Sequence, residues 1–443
     1  MEYLLKKYGR KNPIRIQPNL LLFAHPSALK EIYWDPKCNT KSSIYGSGVF
    51  VPPHIFSTKD GEKHRELRKA LGGAPWTIGS LKNNWEARFD DHILLLCNKL
   101  TENAKAGELI LLGERVAQFA TDVLTMLAFT EPFGFVKNAR DEHRILETWR
   151  QSLGAFSFFS RLTLFHRYIG GMPGMGKLLF PPKTDIDGAG WVLGEAERQV
   201  NNGLRLMEKH QQPEKPDFLQ HCLDARFDDK TPLSQAQREA QMVLLMQAGT
   251  DTTGTALGST MRFLLTHPEK LERARREIES AEQAGLLSDV IKYEETRQHL
   301  PYIVASIKET LRLEPPATNL FGRVAPKEGK TIGEHYIPPG AEITTLAWIV
   351  QRDPETFGPD RLLFRPERWL DKTKAAEFES AIFNFGIGPR TCLGREVAYM
   401  ELYKLVPELI RRFDYDLQDA GEFVIRGGIS YNKDLTARLT PRT

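Results

Sequence analysis

Apolar residues recur every three to four positions through most of the chain, which is the spacing of one face of an α-helix. Gly and Pro residues interrupt this pattern and mark where the helices end. The pattern predicts helices at about 59–70, 80–105, 109–130, 140–153, 186–210, 234–266, 268–284, 299–313 and 394–412.

Short stretches of β-branched and aromatic residues predict a small sheet beside these helices. The predicted strands are 14–23, 331–336, 342–347 and a terminal pair near 415–417 and 435–439. The expected fold is therefore mainly α, with a small β-rich region.

The segment 234–266 is the longest predicted helix. Ser234 and Gln237 have the spacing of a capping box, and apolar residues then occupy several faces of the helix. A helix that is apolar on several faces is expected to run through the core.

The segment 155–190 is rich in Phe, Met, Gly and Pro, but its apolar side chains follow no single period. Two interpretations remain open for it. One is a mobile apolar lid, and the other is an irregular connection packed on the core.

Composition indicates one globular unit. The chain has 443 residues, of which 41% are hydrophobic and 26% charged, so it is long enough to bury a core around a bulky cofactor. No segment has the composition of a linker, so we expect a single domain over 1–443. The net charge is only +3 and no long run of like charges occurs, so no nucleic acid partner is expected.

The four cysteines, Cys38, Cys97, Cys222 and Cys392, form no CxxC pair. This spacing indicates neither a disulfide framework nor a structural zinc site, and it favours a reducing compartment. The longest apolar runs are far shorter than the roughly 18 residues of a membrane span. The first residues also lack the apolar region of a secretory signal.

The strongest chemical signal is the segment FGIGPRTCLGREVAYMEL, which leads into a predicted helix. A thiolate ligand to haem iron needs a backbone that comes close to a flat macrocycle, which Gly388 and Gly394 permit. The N-terminus of the following helix would stabilise the negative sulfur of Cys392. Phe385 is placed to shield that sulfur, and Arg390 to pair with a haem propionate. The alternative is a buried cysteine in a glycine-rich turn.

The spacing FxxGxRxCxG resembles the haem-binding segment of the cytochrome P450 family, and the resemblance extends over nearly the whole chain. The stretches HPSALKEIY and KSSIYG are similar to filamentous-fungal members related to pisatin demethylase and benzoate hydroxylase. The resemblance implies the cytochrome P450 fold and haem b (iron protoporphyrin IX) bound through Cys392. It also implies monooxygenase activity, with dioxygen as substrate and electrons supplied by NADPH-cytochrome P450 reductase.

A second motif is KETLR, in which Glu309 and Arg312 lie three residues apart and share one face of a helix. An ordinary surface ion pair would explain this spacing and would contribute little to stability. The resemblance implies instead a buried structural triad with Arg368 of the segment PERW, where Trp369 takes the last place.

A third motif, AGTDTT, lies within the long predicted helix. Gly249 and Thr252 loosen the helical hydrogen bonds, because the Thr hydroxyl can replace a backbone partner. The resemblance implies that Asp251 and Thr252 relay protons towards the haem iron. The alternative is a hydroxyl that only satisfies its own helix carbonyl.

Further cations match family positions that hold the haem propionates. His64 and Arg68 lie four apart on one predicted helix, and Arg323 follows the KETLR helix. The family often has Trp where His64 stands. A docking patch for an acidic electron donor is expected from other basic residues, although a solvated surface would explain all of these charges as well: Lys63, Arg65, Lys69, Lys404, Arg411 and Arg412.

The substrate pocket is expected to be mostly apolar, which predicts an apolar or aromatic substrate. Its expected lining is Met242, Leu245, Met246 and Ala248 with Thr318 and Leu320, although each of these residues would also suit an ordinary core. Radical coupling, desaturation or isomerisation are alternative reactions, and a non-catalytic haem-binding protein is an alternative class.

The resemblance also carries expectations about the natural protein. Fungal relatives usually begin with a membrane anchor, which this chain lacks at its start, so the anchor is expected to be absent or removed. We expect a monomer on the cytosolic face of the endoplasmic reticulum membrane, and soluble residence is the alternative.

Overall fold

Helices predominate in the computed structural model, which describes residues 2–45, 53–160, 181–211 and 216–442. The α-helices are α1 (Glu2–Tyr8), α2 (Ala28–Tyr33), α3 (Gly61–Leu71), α4 (Ile78–Asn84), α5 (Glu86–Lys105), α6 (Leu112–Phe129), α7 (Phe135–Asn138), α8 (Ile145–Ser160), α9 (Gly188–Glu208), α10 (Phe218–Asp224), α11 (Gln235–Ala248), α12 (Thr250–Leu265), α13 (Pro268–Gln283), α14 (Tyr293–His299), α15 (Pro301–Leu313), α16 (Ala347–Val350), α17 (Pro354–Phe357), α18 (Lys372–Ser380) and α19 (Arg395–Arg412).

The strands are short and form several small sheets. They are β1 (Ile14–Gln17), β2 (Leu20–Leu22), β3 (Ile110–Leu111), β4 (Arg323–Val324), β5 (Lys330–Ile332), β6 (His335–Ile337), β7 (Glu342–Thr344), β8 (Phe413–Asp419), β9 (Glu422–Arg426), β10 (Ile429–Lys433) and β11 (Thr436–Pro441). One sheet has the order β1-β2-β7-β4, another has the order β3-β11-β8, and β5-β6 and β9-β10 form two-stranded sheets. The mainly α fold with a small β-rich region is thus confirmed.

Each predicted helix overlaps an observed one, but two predicted helices are interrupted. The segment 80–105 is broken at Trp85, whose backbone leaves helical geometry at φ −126°. The segment 234–266 is broken at Gly249 into α11 and α12. The predicted capping box is confirmed, since the Gln237 N–H donates to the Ser234 hydroxyl at 3.2 Å and the Ser234 N–H donates to the Gln237 side chain at 2.9 Å.

Two strand predictions were wrong in detail because each spans a turn. The segment 14–23 folds into antiparallel β1 and β2 around the turn at Pro18 and Asn19. The segment 331–336 contains Gly333, whose φ of +56° reverses the chain between β5 and β6. The terminal pair is confirmed, with Ala437 opposite Leu417 in an antiparallel ladder.

Helices α6 and α12 pack against each other at the centre of the main hydrophobic cluster. Gly254 permits this contact, because a Cβ at that position would lie 2.7 Å from the Ala117 Cα. The β9–β10 hairpin, which the sequence pattern did not predict, also packs against α12. There the Thr255 hydroxyl donates to the Ser430 carbonyl at 2.6 Å.

No helix among the described residues is both long and apolar enough to cross a membrane. The predicted lid at 155–190 falls mainly on residues 161–180, which lie outside the described residues.

Candidate functional site

The cysteine loop lies between a 3₁₀ turn at Gly388–Arg390 and the start of α19. Its backbone folds back on itself, since the Cys392 N–H donates to the Phe385 carbonyl at 2.7 Å. Gly388 has a φ of +71°, and a Cβ there would clash with the Tyr33 carbonyl. Gly388 therefore permits close packing of the loop against α2, and its expected role beside a macrocycle stays a prediction. At Gly394, in contrast, a Cβ would meet no described heavy atom within 4 Å.

Cys392 is the exposed member of the four cysteines, all of which lie in the described ranges, and the other three are buried. Protein atoms still crowd the sulfur, and this burial raises the pKa of the Cys392 thiol. The Gly394 N–H and the cations Arg68 and Arg395 act in the opposite direction and favour the thiolate. As a whole residue, Cys392 nevertheless keeps accessible surface, which a ligand beside the loop could cover.

The Phe385 side chain lies on the core side of this loop. Its ring centroid is 5.0 Å from that of Tyr399 on α19, and it packs against the main hydrophobic cluster. This packing fixes the direction from which the loop presents Cys392.

Several cations surround the loop without a carboxylate partner in the described part of the chain. Arg68 donates to the Thr391 carbonyl at 2.5 Å, and Arg323 is only 5% exposed. Lys41, which sequence reasoning missed, pairs with Arg323 in a β-bridge, and its ammonium lies 3.9 Å from the Tyr45 ring centroid. Burial lowers the pKa of Lys41 well below its usual value, and Arg323 adds to this effect. Uncompensated buried cations are costly, so the cluster has the character of an anion site.

His64 faces the same cluster. It is 3% exposed, and its Nδ1 atom is buried without a hydrogen-bond partner among the described residues. Burial, then Arg390 and Lys41, lower the pKa of His64 to about 3. A neutral imidazole with a free ring nitrogen is able to donate to an acidic ligand group.

Arg390 uses its N–H groups differently from the sequence-based expectation. They donate to the carbonyls of Asn39 at 2.8 Å, Thr58 at 2.8 Å and Lys59 at 3.1 Å. Burial and then Arg323 lower the pKa of Arg390 to about 9. Arg390 thus fastens the cysteine loop to the segment before α3 and contributes positive charge to the site.

Glu309, Arg312 and Arg368 form a buried network behind the site. The Glu309 carboxylate accepts from Arg312 at 2.8 Å and from Arg368 at 2.9 Å. Trp369, the last residue of PERW, donates its indole N–H to the same carboxylate at 2.9 Å. The network joins α15 to the segment that leads to the cysteine loop.

In the AGTDTT motif, a partly exposed Thr252 lies next to a buried Asp251 at the start of α12. The Thr252 hydroxyl donates to the Ala248 carbonyl at 2.7 Å, and both residues retain solvent exposure. Asp251 is buried and receives hydrogen bonds from Arg150 of α8, with Nη2 to Oδ1 at 2.8 Å and Nε to Oδ2 at 3.2 Å. Burial raises the pKa of Asp251, whereas Arg150 opposes that effect. Arg150 carried no sequence signal, because it lies about a quarter of the chain away from Asp251.

The expected pocket residues separate into two groups. Ala248, Thr318 and Leu320 are at least partly exposed, although the Thr318 hydroxyl oxygen itself is buried and lacks a partner among the described residues. Met242 and Met246 are at most 1% exposed and pack in a cluster with α9 and α10. A side chain without accessible surface does not line a cavity, so these two residues belong to the core. Leu245 packs partly buried beside them.

The expected docking patch also needs correction. Lys404 is fully buried, with its ammonium 2.6 Å from Asp90 Oδ1 and 3.2 Å from Glu86 Oε1. Arg411 and Arg412 both pair with Glu408. Lys63, Arg65 and Lys69 of α3 remain exposed, although Arg65 pairs with Glu62 and Lys69 pairs with Asp228.

These features fit haem on chemical grounds. The described residues contain no group of three or more His, Cys, Asp or Glu side chains that could hold a bare metal ion. An accessible cysteine, open space at Gly394 and a cation cluster beside them match an iron macrocycle that bears acidic side groups.

Comparison with known proteins agrees with this geometry. A cytochrome P450 monooxygenase of Aspergillus terreus is 31% identical over 435 residues, covering 93% of this chain and 84% of the relative. The monooxygenase cicH of Emericella nidulans is 30% identical, with 94% and 82% covered, and gsfF of Penicillium aethiopicum is 29% identical, with 97% and 85% covered. The sequence model of the family described as cytochrome P450 matches residues 1–426, and the chain belongs to the cytochrome P450 family.

Proposed function

We propose that this oxidoreductase is a haem-thiolate monooxygenase that uses dioxygen and NADPH-derived electrons to oxidise a small apolar or aromatic metabolite. The observation that carries the proposal is the exposed Cys392 beside a cluster of cations that lack carboxylate partners in the described residues. An anionic, iron-bearing ligand satisfies both features at once.

When bound, haem b supplies the iron at which dioxygen is activated. Cys392 would hold the iron through its sulfur, and the helix N-terminus of α19 favours the negative charge on that sulfur. Arg68, Arg323 and His64 would hold the acidic side groups, while Lys41 and Arg390 add positive charge behind them. No other residue type would supply the same soft, negative ligand.

The proposed proton route uses the two residues at the start of α12. Thr252 keeps its hydroxyl at a fixed position through the bond to the Ala248 carbonyl, and its oxygen is still able to accept a proton donor. Asp251 lies next to it, buried and held by Arg150. The pair therefore combines a solvent-accessible hydroxyl with a carboxylate of raised pKa.

The expected pocket residues that keep accessible surface support an apolar substrate. Ala248 is exposed and Leu320 is partly exposed, so both offer hydrocarbon surface. A mostly apolar wall with few polar groups is typical of sites for small organic ligands.

The proposed electron donor is NADPH-cytochrome P450 reductase. The exposed cations of α3 support this choice, because Lys63 lies one residue from His64 and on the same short helix as Arg68. An acidic partner would be attracted to this face. A location on the cytosolic face of the endoplasmic reticulum membrane is part of the same proposal.

The test is the absorption spectrum of the purified protein after reduction with dithionite and exposure to carbon monoxide. We expect a strongly red-shifted Soret band that disappears in Cys392→Ala and persists in the control Cys97→Ala, which removes a buried cysteine. A haem-supplemented, folded protein without haem absorption would refute the proposal. A band at the imidazole-ligated position in the wild type would refute thiolate ligation.

A further inference from the structure

The Asp251 carboxylate is occupied by Arg150. The guanidinium places Nε 3.0 Å from Oδ1 and 3.2 Å from Oδ2, and Nη2 lies 2.8 Å from Oδ1. The Asp251 side chain is only 2% exposed, so water has little access to it. To transfer a proton, Asp251 has to loosen at least one of these bonds first.

A second carboxylate shares the same guanidinium. Arg150 Nη1 donates to Glu114 Oε1 of α6 at 2.6 Å. The Glu114 side chain is 33% exposed, so it is open to solvent, whereas that of Asp251 is not. The guanidinium also stacks on Tyr431 of β10, 5.0 Å from the ring centroid. Arg150 therefore joins α6, α8, α12 and the β9–β10 hairpin.

We propose that Glu114 is a positioning residue for the proton relay, which competes with Asp251 for Arg150 and holds the guanidinium when Asp251 turns to transfer a proton. The inference rests on the proposed function and deepens it. Without the Glu114 charge, Arg150 has a single carboxylate partner and binds Asp251 more tightly. The exposed Glu114 thereby controls how readily the buried Asp251 is released.

The charges around Asp251 agree with this competition. The groups that face it are Arg150 from α8, Glu114 from α6 and Asp141 from the segment before α8, with the Tyr431 ring behind Arg150. Burial raises the pKa of Asp251, Arg150 lowers it, and Glu114 and Asp141 raise it again. Burial disfavours the charge of Arg150, but Asp251 and Glu114 outweigh it and raise the pKa of Arg150, so the guanidinium stays charged throughout.

The test measures the protonation of Asp251 directly. Infrared difference spectra of the purified holoprotein across a pH series report the protonated carboxyl band, which Asp251→Asn assigns by removing it. We expect Glu114→Gln to lower the midpoint of this band by about one pH unit, because a nearby negative charge has been removed. The same variant should release more peroxide per NADPH consumed.

The matched control is Glu147→Gln. Glu147 lies on α8, one turn from Arg150, but its carboxylate bonds Arg144 rather than Arg150. We expect its midpoint and peroxide release to equal those of the wild type. Glu114→Asp keeps the charge and should restore a midpoint close to the wild-type value.

An unchanged midpoint in folded Glu114→Gln would overturn the inference. Should that variant fail to fold, Arg150→Lys is measured instead, and the midpoint of the Asp251 band is expected to move in the opposite direction. The reason is that a lysine ammonium lacks the forked guanidinium group that binds two carboxylates. Its midpoint should rise, and no rise would also overturn the inference. A shifted midpoint in a protein without thiolate-ligated haem would support the shared Arg150 and refute the proposed function instead.

Discussion

The Thr252 hydroxyl either relays a proton or only satisfies a helix carbonyl. These two roles predict different effects of the substitution Thr252→Ala. In Thr252→Ala we expect product formed per NADPH to fall about tenfold, because a hydrogen bond to a charged group is worth roughly 1.5–3 kcal/mol. Peroxide should account for the lost electrons. The measurement compares NADPH, product and peroxide in the reconstituted system.

Thr266→Ala is the matched control for this prediction. The Thr266 hydroxyl also donates to a carbonyl four residues earlier, that of Arg262 at 2.8 Å, but it lies at the far end of α12. Equal coupling in both variants would assign Thr252 a structural task only.

Residue types in a motif predict chemistry better than they predict bonding. The spacing around Cys392 and Glu309 singled these residues out, and the family resemblance implied their roles. The bonds of Arg390 were not predictable in this way, because most of its acceptors are backbone carbonyls, at Asn39, Thr58 and Lys59, more than 300 residues earlier. Backbone carbonyls carry no residue identity, so no sequence pattern marks them.

At the scale of elements, the contact between α6 and α12 depends on a missing side chain. A Cβ at position 254 would lie 2.7 Å from the Ala117 Cα and 3.0 Å from its Cβ. Gly254→Ala should therefore lower the free energy of unfolding by about 1–3 kcal/mol, because an overpacked helix contact forces the backbones apart. Thermal and denaturant unfolding provide the measurement.

Gly79→Ala serves as the control for this helix prediction. Gly79 lies in α4, and a Cβ there would meet no described heavy atom within 4 Å. The alanine should raise stability by about 0.5–1 kcal/mol, since glycine weakens a helix. If Gly254→Ala had the same free energy of unfolding as Gly79→Ala, the close contact between α6 and α12 would not contribute to stability.

The positions of the helices were predictable, because the spacing of apolar residues is a local property of the sequence. The interruptions within helices were harder to predict. The break at Gly249 coincides with the AGTDTT motif, which had signalled weakened helical bonds. The break at Trp85 had no signal, because tryptophan is compatible with a helix and its φ of −126° is set by packing.

Turns at Gly427 and Gly428, with φ of +63° and +85°, create the β9–β10 hairpin.

At the scale of the whole molecule, the cations of α3 should guide the electron donor. Lys63→Glu combined with Arg65→Glu is expected to slow reductase-supported turnover about two- to fivefold at low salt, the range of exposed charge pairs. The salt dependence of the rate should also flatten, because screening has fewer charges to act on. Stopped-flow reduction at several ionic strengths measures both effects.

Lys374→Glu on α18 reverses another exposed charge and should leave the rate unchanged. Loss of rate in this control as well would mean that net charge, rather than the α3 surface, governs the encounter. Lys404 is unsuitable for such a test, because its reversal would place a carboxylate beside Glu86 and Asp90.

The sequence by itself determined the helical pattern, the cysteine motif, the Glu309–Arg312 pair and the residues Asp251 and Thr252. These features depend on residues within one or two turns of each other, and local spacing encodes them. The tertiary structure decided that Lys41 joins the cation cluster, that Lys404 is buried and that Arg150 holds Asp251 and Glu114. Arg150 lies 101 residues from Asp251 and 36 from Glu114, and such contacts arise only when separate helices pack together. Packing, rather than spacing, therefore decides which charges become partners.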